Sequence, residues 1–175
     1  PRGVAVVIAP WNFPAAILTG MASAALVSGN AVLLKPAEQS SMIAVQLAQI
    51  LREAGIPPPI LQCLPGLGSE VGAALVRHRG TQVTLFTGSK TIGLSILSAS
   101  AQVASGQHFI KHVIAEMGGK NAVIIDEDAD LDAAVQGTLI SAFGYSGQKC
   151  SAASRVIVHH VVYDQFLERF AGATD

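Results

Sequence analysis

Five short β-rich runs alternate with helical segments along the first part of the chain, and that alternation leaves few folds open. The runs are Val4 to Ala9, Ala31 to Leu34, Ile60 to Leu64, Gln82 to Phe86 and Phe109 to Ala115. Between them lie Ala15 to Val27, Met42 to Ala54, Glu70 to Arg77 and Thr91 to Ala104, each long enough for two or more helical turns. Gly29, Gly55 and Gly106 follow three of these segments as candidate helix stops. Strands and helices in this order predict a parallel sheet with right-handed crossovers, a doubly wound α/β (Rossmann-like) domain. Composition agrees, because a chain 50% hydrophobic and only 13% charged suits strands buried on both faces.

The same composition closes off other classes. A net charge of −1, with Lys and Arg scattered, gives no electrostatic footprint for nucleic acid or an anionic membrane surface. Gly3 to Leu34 carries no charged residue, yet Pro10, Asn12, Pro14, Gly20 and the Gly29–Asn30 pair interrupt it. A spanning helix needs ~20 unbroken apolar residues, so the run reads as a buried strand and helix. Arg2 alone does not make a signal peptide. Two cysteines in unlike surroundings, with no zinc spacing, imply a reducing intracellular compartment and no metal. The chain starts at Pro1 without an initiator Met and ends just after a helical stretch, so both ends read as cut from a longer protein.

In open α/β sheets, ligands bind beyond the carboxyl ends of the strands. After the first strand comes "APWNFP", after the second "KPAE", after the third "PGLGSEVG", after the fourth "TGSKTIG", and the fifth ends in "EMGGK". Every polar or glycine-rich oddity up to that point therefore falls on one sheet edge. Gly88 and Ser89 open a helix whose free N–H groups suit a phosphate, although any βα turn can use such a pair. Gly66, Gly68 and Gly72 miss the G-x-G-x-x-G spacing by one residue and read first as a tight turn.

Glu38 stands where a carboxylate can accept from both hydroxyls of an adenosine ribose and repel a 2′-phosphate; otherwise it is a solvated charge at a helix start. Lys35 is a surface lysine or, with Pro36 fixing the backbone after it, part of a defined loop. Asn12 is a turn residue or an amide donor to an oxyanion. Glu116 caps a loop, or acts as a general base raised in pKa by the apolar "HVIA" before it.

Cys150, in "FGYSGQKCSAASR", has almost nothing apolar beside it, whereas Cys63 in "PILQCLP" has the surroundings of a small buried hydrophobe. Cys150 reads as a nucleophile whose thiolate Lys149 and the amides of a helix start would favour, or as an inert thiol. The five histidines lack the supporting pattern of a Cys/His hydrolase. His159 and His160 are expected one in and one out at a strand or its end.

Taken in order, "PWNFP", "KPAE", "FTGS", "AEMGGKNA" and "FGYSGQKCSAAS" resemble the aldehyde dehydrogenase superfamily over nearly the whole chain. Finer details, "SAFGYSGQKCSAASR", "AEMGGKNAVIIDEDADLD" and "SGQHFIKHVIAEMGGK", are similar to the branch that oxidises glutamate γ-semialdehyde, the open form of Δ1-pyrroline-5-carboxylate, in proline breakdown. The resemblance implies that Cys150 is the nucleophile and Glu116 the base for hydrolysis. Asn12 and the Cys150 N–H would form the oxyanion hole. Lys35, also placed among the catalytic residues, would hold the adenosine ribose with Glu38, and Gly88 and Ser89 would lie against the pyrophosphate. Pro10, Trp11, Gly66, Gly68, Thr87, Ile92, Glu116, Met117 and Gly118 complete the expected cofactor contacts. Ser151, Phe13 and Lys149 are the expected substrate contacts.

By this resemblance Cys150 attacks the aldehyde carbon to give a thiohemiacetal, hydride passes to the nicotinamide of NAD, and Glu116 draws a proton from the water that hydrolyses the thioester. NADP is disfavoured by Glu38. Residues 1–118 would form the NAD-binding domain and 119–175 the opening of an incomplete catalytic domain. The full-length parent would be a cytoplasmic or mitochondrial-matrix homodimer or higher homo-oligomer acting on a small aldehyde. The 175 residues alone are expected to be inactive, because other parts of the active site lie outside them. The competing readings are a dehydrogenase for another aldehyde, such as succinic semialdehyde, and a truncated, non-catalytic nucleotide-binding module.

Overall fold

In a computed structural model, which describes residues 1–174, the chain divides into two compact units, Pro1–Met117 and Gly118–Asp175. The first unit is built on five strands, β1 (Val4–Ile8), β2 (Ala31–Lys35), β3 (Leu61–Cys63), β4 (Thr81–Gly88) and β5 (His112–Met117). All neighbours pair in parallel, in the order β3-β2-β1-β4-β5. Helices α1 (Ala16–Val27), α2 (Ser41–Glu53), α3 (Ala73–Arg77) and α4 (Lys90–Ser100) connect them. β1 is central, and Ala5, Val6 and Val7 are almost completely buried.

The period-2 alternation of the strands sends alternate residues to two cores. Ala5, Val7 and Val83 face a core with Leu18, Ala22, Ala44 and Ala48, contributed by α1 and α2. Phe86 faces a second core with Val76 and Ile96, contributed by α3 and α4, against which Ile8, Val113, Ala115 and Met117 pack. Helices on both faces make the sheet doubly wound, as expected. Leu18 and Leu34 are fully buried, and each such side chain contributes about 1.5–3 kcal/mol.

Three expectations are corrected. The segment before β4 is not one helix: Gly68–Gly72 forms a π turn, with the Leu67 carbonyl accepting from Glu70, Val71 and Gly72, and only Ala73–Arg77 is α-helical. α4 ends at Ser100, short of Gly106, which lies in a later loop, whereas Gly29 and Gly55 do follow their helices directly, with φ of +79° and +105°. The fifth strand does not end at Ala115: pairing with β4 continues through Thr87↔Glu116 and Gly88↔Met117, so Glu116, expected at the strand tip, is the penultimate residue of β5.

The second unit pairs β6 (Asn121–Ile125) with β7 (Ala153–Val158) in parallel and packs them against α5 (Leu131–Phe143) and α6 (Tyr163–Gly172). Ile125, Leu131, Val135, Val162 and Phe166 form its core. The Asp130 carboxylate caps α5, accepting from Asp132 N and Ala133 N at 3.0 and 3.2 Å. His159 and His160 follow β7, half-buried and exposed respectively. Among the described residues, no helix is long and apolar enough to cross a membrane.

Candidate active site

The strand order reverses at β1, with β2 and β3 on one side and β4 and β5 on the other, and a crevice opens there beyond the strand ends. It is a cleft of about 680 Å³. Pro10 and Trp11 after β1, Lys35 and Glu38 after β2, and Thr87, Gly88, Ser89 and Ile92 after β4 all line it, as does Gly68. Nine residues expected at a cofactor site are thus brought together in one crevice. Gly66, Glu116, Met117 and Gly118 do not line it. Gly66 instead turns the chain so that a Cβ there would stand 2.5 Å from Val71.

Lys35 ends β2 and is 3% exposed, so it is not a surface lysine. A buried ammonium needs partners. It donates to Pro36 O at 2.8 Å and to Glu38 Oε1 at 3.2 Å, which uses two of its three N–H bonds. Glu38 opens the 3-10 turn Glu38–Ser40 that leads into α2, and its carboxylate also accepts from Gly68 N. Its own backbone N–H, then the Gly68 N–H and Lys35, hold the Glu38 carboxyl below its ordinary value of 4.5, against the opposing effect of burial. A Cβ on Gly68 would lie 3.5 Å from Glu38 Oε1 and 4.0 Å from Lys35 Nζ, in ordinary contact with the pair.

The lowered pKa fixes the sign of a pH effect. The contacts of the Glu38 carboxylate are fully present above 4.5 and are lost as pH falls through the lowered value. Their contribution to stability is therefore expected to be undiminished from neutral pH down to about 4.5 and to be lost as pH falls through the lowered value, as read by thermal melts across that range.

Ser89 caps α4, its hydroxyl accepting from Ile92 N at 3.3 Å. The N–H groups of Lys90 and Thr91 have no partner within the helix, which suits an anion at this end. Close approach explains two glycines nearby. A Cβ on Gly88 would stand 2.6 Å from the Phe86 ring, and one on Gly93 would stand 2.7 Å from Met117 Sδ. Met117 packs instead into the space Gly93 leaves, and strand alternation puts Glu116 on the other, exposed face of β5. Val113 and Ala115 face away with Met117, so the apolar run does not enclose the carboxylate as expected.

The far wall of the cleft is formed by Ala73, Val76 and Arg77 of α3 and by Ser95, Ile96 and Ala99 of α4. The sequence reading missed these residues. Their i, i+3, i+4 spacing on two consecutive helices was the available signal. Asn12 and Phe13 lie in the bend between β1 and α1, both half-buried.

In the second unit Cys150 is exposed, in a turn between the 3-10 segment Gly144–Gly147 and β7. It does not sit at a helix start, as the sequence suggested. Tyr145, Ser146 and Gly147 take φ of 58°, 56° and 68°, and this run of left-handed residues ends the helical path before the cysteine. Asn121 fastens the turn: its Nδ2 donates to Cys150 O at 2.7 Å and to Ala152 O at 3.2 Å. Lys149 is half-buried, with its Nζ toward Gly144, and Ser151 is exposed. Cys63, by contrast, packs against the core of the first unit, and burial pushes its thiol up against the pull of Arg52.

A five-stranded parallel sheet of this order, with its cleft at the reversal, is the architecture of dinucleotide-binding α/β domains. The sequence model of the aldehyde dehydrogenase family matches residues 1–175, and the chain belongs to that family. It is 52% identical over 169 residues to the 1-pyrroline-5-carboxylate dehydrogenase of Bacillus cytotoxicus, covering 97% of this chain and 33% of that protein. The 1-pyrroline-5-carboxylate dehydrogenase from Thermus with bound NAD superposes with a TM-score of 0.94 at 47% identity, over 99% of this chain and 34% of that one. Proline utilization A from Bdellovibrio bacteriovorus, inactivated by N-propargylglycine, superposes with a TM-score of 0.92 at 58% identity, over 97% of this chain and 18% of that one. The chain thus spans about a third of the length of the curated relative it matches.

Proposed function

We propose that this chain carries the cofactor cleft and the nucleophile of an NAD-dependent aldehyde dehydrogenase that oxidises L-glutamate γ-semialdehyde to L-glutamate in proline catabolism. The observation that carries the reading is an exposed cysteine in a polar turn whose backbone is fastened by Asn121. The names of the relatives support the substrate.

The cleft fits a dinucleotide. The Lys35 and Glu38 pair is fixed at its mouth by their mutual hydrogen bond and by the Gly68 N–H that the Glu38 carboxylate accepts. Lys35 and Glu38 would hold the adenosine ribose, and Gly88, Ser89 and the first turn of α4 the pyrophosphate. NAD, when bound, supplies the hydride acceptor. In the whole enzyme, residues of this chain would take the following parts. The Cys150 thiolate adds to the aldehyde carbon, forming a C–S bond and leaving the charge on oxygen, where Asn12 and the Cys150 N–H donate to it. Once that carbon is oxidised, Glu116 takes a proton from water as the water attacks the thioester, which releases the carboxylate and returns the thiolate. Ser151, Phe13 and Lys149 would contact the substrate.

The test is a panel of glutamate γ-semialdehyde against succinic semialdehyde, with NAD and with NADP, on the native enzyme and on Glu38→Gln. Glutamate γ-semialdehyde with NAD is expected to give the highest kcat/KM. Glu38→Gln is expected to narrow the preference for NAD over NADP by about tenfold, since the carboxylate that repels a 2′-phosphate is gone. An unchanged cofactor preference would refute the ribose role of Glu38, and a preference for succinic semialdehyde would refute the substrate.

A further inference from the structure

We propose that Lys111 is a positioning residue for the nucleotide cleft: its side chain fixes the end of α3 and thereby the wall that α3 presents to the ligand. The inference rests on the reading of the cleft as a nucleotide site.

Lys111 is 7% exposed, which is unusual for a lysine outside an ion pair. Its Nζ donates to Val76 O at 2.6 Å and to His78 O at 2.9 Å, partners that lie 35 and 33 residues back in the chain. Burial of the ammonium pulls its pKa down, so the placement carries a desolvation penalty that these two bonds offset. The last carbonyls of a helix lack partners within it, and a cation at that end also suits the helix dipole.

Several features make this more than an ordinary helix cap. α3 has only five residues and follows a π turn, so its own hydrogen bonds give it little independent stability. Its residues Ala73, Val76 and Arg77 line the cleft, with Gly72 of the turn before it. Val76 joins the two roles, since its side chain packs with Phe86 and Ile96 in the lining of the cleft while its carbonyl is the one Lys111 holds most closely. Lys111 also immediately precedes β5, whose pairing with β4 runs to the strand ends at the cleft. One side chain therefore ties the short wall helix to the sheet.

The test is calorimetric titration of the native chain, Lys111→Met and Lys111→Gln with NAD and with ADP, at a temperature where circular dichroism shows each to be folded. Lys111→Met keeps the length and removes every donor, and both ligands are expected to bind about tenfold more weakly. Lys111→Gln retains an N–H donor for one carbonyl, is the milder change should the methionine variant not fold, and is expected to lose less. A lysine that only stabilised the fold would lower the melting temperature and leave the dissociation constants of the folded variants unchanged, and that result overturns the inference alone. A native chain that binds neither NAD nor ADP overturns both the inference and the reading it rests on.

Discussion

Cys150→Ser is expected to lower kcat/KM for the aldehyde by about 10⁴-fold or more while leaving the dissociation constant for NAD unchanged. A serine hydroxyl is almost wholly protonated at neutral pH, whereas a cysteine carries a thiolate fraction and is the stronger nucleophile. The substitution is close to isosteric, and Asn121 holds the turn through the carbonyls of Cys150 and Ala152, which the variant keeps. The loss should therefore come from sulfur chemistry and not from a displaced loop. Every residue lining the cleft belongs to the first unit, so nucleotide affinity should be unaffected. Steady-state kinetics and calorimetry on the same preparation check both halves. A variant that retains more than a few per cent of the activity would exclude Cys150 as nucleophile.

The sheet and one wall of the cleft were legible in the sequence because each strand announces its own end. Val4 to Ala9 is apolar and is closed by Pro10; Ala31 to Leu34 is apolar and is closed by Lys35 and Pro36. Local signals of this kind survive folding because central parallel strands are buried on both faces. The misreadings share a different cause, which is that the deciding partner is remote in sequence. The apolar run stops at Ala115 and glutamate is a poor strand former, yet pairing of Thr87 with Glu116 carries the strand further. Left-handed Tyr145 and Ser146 redirect the chain before Cys150, and neither residue type favours that conformation in isolation. Lys111 gave no signal at all, since both of its partners are backbone carbonyls more than thirty residues away.

Glu116→Gln is expected to reduce steady-state turnover by about 10²- to 10⁴-fold and to make an acyl adduct accumulate on Cys150, visible as a mass increase of the intact protein. Glutamine preserves the size of the side chain and can still hydrogen bond to water. It cannot accept the proton that water must lose when it attacks the thioester. The end of β5 should not move, because Met117 remains packed against Gly93 and Phe86 on the opposite face of the strand. Formation of the thioester does not require the Glu116 carboxylate in this scheme, so acylation should continue while deacylation stalls. Hydroxylamine, a nucleophile that needs no deprotonation by Glu116, should then restore release of the acyl group and clear the adduct. Loss of turnover without an adduct would place Glu116 before the thioester instead, as the group that activates the Cys150 thiol.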